Sequence, residues 1–142
     1  NRRRSCVAAC SIDDMGAVHC CHAALDHLRS SNGLIVSCST AQALMGFPNH
    51  TGYSASKYAL NGFLESLEMD MKEDIHFLYA ILGWIQGTNL RSNAYGADGQ
   101  KLGSSKRKHT KQSVLLEDCV NAIVSSMERN KRTPKFLGKK CC

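Results

Sequence analysis

Between residues 14 and 30 the chain reads DMGAVHCCHAALDHLRS, with apolar side chains at 15, 18, 21, 24, 25 and 28. Steps of three and four place them on one face of an α-helix. Ser31-Asn32-Gly33 follows, with the glycine as the expected terminator. Leu34-Ile35-Val36 is a short continuous apolar run, the pattern of a strand buried on both faces in a parallel sheet. Residues 39–52, with Gly46, Pro48, Asn49 and Gly52, read as a loop. A second helix is expected over 53–72, and an apolar strand over Ile75–Leu82. Residues 83–112, rich in Gly, Asn, Ser and Lys, predict no regular structure. A third helix over 115–129 and a short strand, Lys135-Phe136-Leu137, complete the pattern. Helices and strands that alternate in this way build a parallel α/β sheet.

Composition narrows the picture. The 142 residues suffice for one domain with a core and are too few for two ordinary ones. Of the net charge of +6, five cations lie in 101–111 (KLGSSKRKHTK) and five more in the last twelve residues. No aromatic side chains interleave with these lysines to stack bases, so a solvated surface is expected there and no nucleic-acid partner. Apolar runs such as residues 77–83 fall far short of the ~20 residues that span a bilayer. Asn1-Arg2-Arg3-Arg4 is not followed by a leader-like apolar stretch. No membrane segment is expected, and a cytoplasmic setting is favoured. The eight cysteines form no CxxC pair, and without a secretory context they read as reduced, partly buried thiols. His19-Cys20-Cys21-His22 puts two histidines one helical turn apart, a pattern read as packing and not as a metal site.

The chemistry is carried by GYSASKYALNGF, residues 52–63. Tyr53 opens the second helix just after the loop that leaves the first strand. A phenol with its pKa of ~10 is a poor acid or base near neutrality. Lys57, at i+4, shares a helical face with Tyr53, and its ammonium favours the phenolate. A hydroxyl from the preceding loop would polarise a substrate carbonyl beside the tyrosine; Ser37, Ser39 and Thr40 are candidates. By spacing alone, the pair is two residues on one helical face.

The wider stretch, NGLIVSCSTAQALMGFPNHTGYSASKYALNGFLESLEMDM, resembles the active-site segment of the short-chain dehydrogenases/reductases. That family has a strand ending in a Ser-Ser-like pair, a loop with Gly-x-Pro, then YxASK and an apolar helix. The likeness is to its steroid-dehydrogenase-like branch and extends over about residues 12–137. It implies a Rossmann-like fold and an NAD(P)-dependent oxidoreductase that moves a hydride between nicotinamide and a carbonyl or alcohol substrate. By resemblance Tyr53 is the acid/base, and Lys57 tunes it and binds the nicotinamide ribose. The family's catalytic serine, thirteen residues before the tyrosine, is Thr40 here, with Ser39 adjacent. Asp13 stands where the family has an asparagine of the proton relay. After the second strand the family's Pro-Gly-x-Val/Ile and threonine become Leu82-Gly83-Trp84-Ile85 and Thr88. The resemblance places Ser39, Leu82, Gly83, Ile85 and Thr88 with Tyr53 and Lys57 around NADP or NAD, with 89–112 as a substrate lid.

Family members begin with a strand, a TGxxxGxG turn, further strand–helix units and an Asn-Asn-Ala-Gly segment. None of these occurs in the 142 residues, which correspond to the C-terminal half of such a domain, truncated before the cofactor's pyrophosphate site. The family's dimers pair the helices equivalent to 14–30 and 53–72, so a homodimer through them is expected. The alternative is a non-catalytic fragment or degenerate copy, at most a self-association module. Asn49-His50-Thr51 is formally a glycosylation sequon, discounted because it lies in the active-site loop.

Overall fold

A computed structural model of the chain describes residues 15–48, 50–88 and 113–129, and the backbone of 135–137. Helix α1 spans Gly16–Ser31, strand β1 Leu34–Thr40, a 3-10 turn Ala41–Ala43 and helix α2 Thr51–Met71. Then come strands β2 (His76–Leu82), β3 (Ile85–Gln86) and β4 (Val114–Leu115), helix α3 (Leu116–Glu128) and strand β5 (Lys135–Leu137). Strands β1, β2 and β5 form a parallel sheet in that order, and β3 pairs with β4 in a second, two-stranded parallel sheet. The expected parallel α/β architecture is present.

The strand buried on both faces is β2, not β1. Phe77 through Ile81 are all buried, whereas most of β1 is half-buried, because β1 forms an edge of the described sheet. Alternate β2 side chains leave opposite faces. Phe77 and Tyr79 join Leu64 and Ile75 in the main core. Around them pack Cys21, Leu25 and Leu28 of α1, Ile35 of β1, and Leu60, Phe63, Leu67 and Met71 of α2. The spacing of the α1 residues is the one read from the sequence. Burying side chains such as Phe77 or Ile75 contributes about 1.5–3 kcal/mol each. Helix α3 also packs against β2. Its Cys119 is buried near Cys38, on the face opposite the main core.

Several boundaries differ from expectation for physical reasons. β1 runs four residues past Val36, through Ser37, Cys38, Ser39 and Thr40, because the β2 backbone continues the ladder to Thr40↔Leu82. Pairing, not apolar patterning, sets that end. Helix α1 ends at Asn32 and not Gly33: Asn32 takes the left-handed conformation (φ 50°), which asparagine tolerates. Gly33 serves the close approach instead, since a Cβ there would lie 2.6 Å from Leu28 Cδ2 and 3.3 Å from the Leu28 backbone. The region read as an unstructured 83–112 begins with β3, and β4 follows it at Val114. Residue 13, the stretch 89–112 and the last five residues lie outside the described residues, as does Asn49 of the sequon.

Candidate active site

The site lies at the carboxyl ends of β1 and β2. The parallel register sets Ser39 opposite Ile81 and Thr40 opposite Leu82, so the hydroxyl pair and the glycine loop leave the sheet side by side. Ser39 is buried, with an Oγ that has no hydrogen-bond partner, and Thr40 is half-buried. The 3-10 turn then folds against α2, with Ala43 buried beneath it.

Small side chains let that contact form. Ser54 and Ser56, in the first turns of α2, are buried, and Ser56 Oγ donates to the Tyr53 carbonyl at 2.9 Å. The Ser54 N–H donates to the His50 carbonyl at 2.8 Å, fixing where the helix starts. With its inner face held in this way, α2 presents Tyr53 at 40 % exposure. One turn later the half-buried Lys57 lays its ammonium over the Tyr53 ring, 5.5 Å from the centroid, within the ~6 Å range of cation–π attraction.

The second wall comes from the end of β2. Leu82 is half-buried, Gly83 and Trp84 are exposed, and the Trp84 carbonyl accepts a hydrogen bond from the Val114 N–H at 2.9 Å. In a parallel ladder the residue aligned with Val114 turns its own N–H and C=O away from that partner strand. That residue is Ile85, so its backbone groups point away from β4. Gln86 Nε2 donates to the Ser113 carbonyl at 3.1 Å, reinforcing the pair. Gly87 then adopts φ 83°, a left-handed conformation that glycine takes without strain, and delivers the exposed Thr88.

The structure therefore brings Tyr53 together with Lys57, and Thr40 with Leu82, and places Ser39, Gly83, Ile85 and Thr88 at the same end of the sheet. Asp13 lies outside the described residues. Two features escaped the sequence reading. One is the β3–β4 pair, joined across 27 residues. The other is a hydrogen bond between Gln42 of the 3-10 turn and His50 before α2, with Nε2 and Nδ1 3.2 Å apart. Neither has a local sequence signature. Among the described residues no three His, Cys, Asp or Glu side chains are grouped to hold a metal, and no helix is long and apolar enough to cross a membrane.

Comparisons with known proteins fit this geometry. Residues 7–98 match the family model for short chain dehydrogenase. The chain is 27% identical over 121 residues to 11-beta-hydroxysteroid dehydrogenase 1A of Arabidopsis thaliana, covering 82% of this chain and 35% of that one. It is 33% identical over 101 residues to dehydrogenase/reductase SDR family member 7B of Rattus norvegicus, covering 70% and 30%. A short chain dehydrogenase from Burkholderia cenocepacia J2315 in complex with NADP superposes with a TM-score of 0.73 at 16% identity, covering 96% of this chain and 51% of that one. An alcohol dehydrogenase from Thermococcus sibiricus complexed with 5-hydroxy-NADP gives 0.68 at 17% identity, covering 91% and 51%. The chain thus spans about half of these solved structures and about a third of the curated relatives. With the family model matched over most of its length and the structures sharing its fold, this chain belongs to the short-chain dehydrogenase family.

Proposed function

We propose that the site serves NAD(P)-dependent oxidoreduction of a carbonyl or alcohol substrate, with Tyr53 as the acid/base. The observation that carries this reading is the Lys57 ammonium 5.5 Å from the centre of the Tyr53 ring, at the sheet end where Ser39 and Thr40 emerge. A phenol must change protonation state to give a proton to a nascent alkoxide or take one from an alcohol. A cation beside the ring stabilises the phenolate, which is the product when the proton is given and the starting base when it is taken. Thr40, with Ser39 adjacent, supplies the hydroxyl that holds the substrate oxygen.

The nicotinamide supplies or accepts the hydride when bound. The residues present suit that end of the cofactor. Lys57 offers donors toward its ribose, the outward-facing Ile85 backbone suits its amide, and Thr88 is placed for the diphosphate, with Leu82 and Gly83 as the wall between. The partnerless buried Oγ of Ser39 is a polar atom that a bound group or water would satisfy. Solved structures that share the fold are complexes with NADP, 5-hydroxy-NADP or NADH, which supports NADP or NAD as the cofactor class. Helices α1 and α2 would pair with their counterparts in a homodimer. The groove between them is lined by Val18, Cys21, His22, Leu25, Phe63 and Leu67.

A second reading, an association module without turnover of its own, is favoured by one observation: β1 forms an edge of the described sheet, and such an edge accepts another strand. One experiment separates the two. Trp84 is the chain's only tryptophan and lies in the loop beside Ile85, so titration with NADPH or NADH is expected to quench it with saturable energy transfer to the reduced ring. A carbonyl-substrate screen against a Tyr53→Phe control follows. Absence of transfer with both cofactors, on folded protein, overturns the enzymatic reading.

A further inference from the structure

We propose that Gln42 and His50 form a clamp that positions Thr40 against Tyr53; this role rests on the enzymatic reading above, but the clamp itself does not. The two candidate catalytic groups sit on separate elements. Thr40 ends β1, and Tyr53 lies in the first turn of α2. The twelve residues between them include the short 3-10 turn and an exposed stretch from Leu44 to Pro48. Covalent connection through such a segment leaves the distance between the two hydroxyls loosely set.

Three short-range bonds and one long-range bond remove that freedom. The Leu44 and Met45 N–H groups both donate to the Ala41 carbonyl at 3.0 Å, closing the turn directly after Thr40. The Ser54 N–H donates to the His50 carbonyl at 2.8 Å, closing the first turn of α2 directly around Tyr53. Each of these orders only its own side of the loop. The side-chain bond between Gln42 Nε2 and His50 Nδ1, at 3.2 Å, joins the two sides. It joins a residue two beyond Thr40 to one three before Tyr53. With the imidazole proton on Nε2, the Gln42 amide donates to Nδ1. With the amide turned over and the proton on Nδ1, the imidazole donates to Oε1, so the pair keeps a hydrogen bond in either assignment. The other end of the Gln42 amide, Oε1, is buried and has no hydrogen-bond partner among the described residues, so the bond to His50 is the polar contact that holds this side chain. Neither residue touches the reacting atoms in this scheme. Both are positioning residues, and misplacing a reacting group by ~1 Å is enough to slow a step ~100-fold.

The test uses the full chain with Gln42→Ala, His50→Ala, the double variant, His50→Asn and His50→Gln. Asparagine returns an acceptor and donor to the place of Nδ1, whereas glutamine carries its amide past it. Hydrogen exchange read at the Leu44, Met45 and Ser54 amides is expected to accelerate about tenfold in both alanine variants. The double variant is expected to be no faster than the faster single, the signature of one shared interaction, and His50→Asn, unlike His50→Gln, restores protection. Amides of β2 serve as the unchanged reference. Unchanged exchange at the three amides, or single effects that multiply in the double variant, overturns the clamp whether or not the chain turns over substrate. With a substrate from the screen, the alanine variants are expected to lose about tenfold or more in kcat at unchanged cofactor KM, with rescue by His50→Asn. Intact kcat alongside accelerated exchange overturns the positioning role and leaves the Tyr53 chemistry standing. Turnover that survives Tyr53→Phe overturns Tyr53 as the acid/base, while the exchange data still decide the clamp.

Discussion

Lys57 lies over Tyr53 across a single helical turn, and the pair was legible in the sequence as YxxxK because one local geometry places both residues. Lys57→Met keeps the bulk and removes the charge. It is expected to lower kcat ~100-fold or more in a steady-state assay, with Tyr53→Phe lower still, in line with the ~10²–10⁴ typical of general acid–base groups. Tyr79 shows the opposite electrostatics. It is buried in the core, and burial, followed by a hydrogen bond to Glu68 and the carboxylates of Glu68 and Glu65, pushes its phenol far above the ordinary value. The native state therefore holds this proton more tightly than the unfolded chain does. Its contribution to stability is complete below the unfolded phenol pKa of ~10 and is lost above it, by up to ~1.4 kcal/mol per pH unit. Urea midpoints measured from pH 9 to 11 are expected to fall, and to fall less steeply in Tyr79→Phe. At pH 7 that substitution is expected to cost at most about 1 kcal/mol, the net worth of one hydrogen bond, because the ring that fills the core is kept. What the sequence did not disclose at this scale is non-local: Gln42 and His50 meet through the fold, and nothing in their spacing announces it.

At the scale of elements, α1, α2 and β2 were legible because burial imposes a period, and the strand Lys135–Leu137 was placed as found. The end of β1 was not. Ser37, Cys38, Ser39 and Thr40 carry no apolar signal, yet they extend the strand because β2 offers a matching backbone through Leu82. The two-residue strands β3 and β4 were invisible for the same reason. Turn chemistry was half legible. The stop after α1 was recognised, but Asn32 rather than Gly33 takes the left-handed position. This gives a prediction that distinguishes the two roles. Gly33→Ala pushes a Cβ against the Leu28 side chain and backbone, and is expected to cost about 1–3 kcal/mol of global stability in urea unfolding. Gly87→Ala meets nothing closer than Leu116 Cβ at 3.9 Å but must hold φ 83°. Its cost of about 1–2 kcal/mol is conformational and is expected to appear as faster exchange at Val114, with a smaller change in the urea midpoint.

For the whole molecule the open question is which surface a second copy would cover. Two are available. One is the α1/α2 groove, with Val18 and Leu25 facing Phe63 and Leu67. The other is the outer side of α3, where Leu116, Val120, Val124 and Met127 are all exposed at helical spacing. The proposed homodimer uses the first, through α1 and α2. Charge placed on each surface in turn separates them. Val18→Glu seats a carboxylate in an apolar groove, an expensive position without a partner, whereas the exposed Val124 tolerates a glutamate in the isolated fold at little cost. If copies pair through α1 and α2, sedimentation velocity across a concentration series shows a dimer in the parent chain and in Val124→Glu, and a monomer in Val18→Glu. Circular dichroism of Val18→Glu must show an intact fold for that loss to count. Dissociation by Val124→Glu with Val18→Glu unaffected would assign the contact to the exposed side of α3, and α2, which carries Tyr53, would then stay outside the interface.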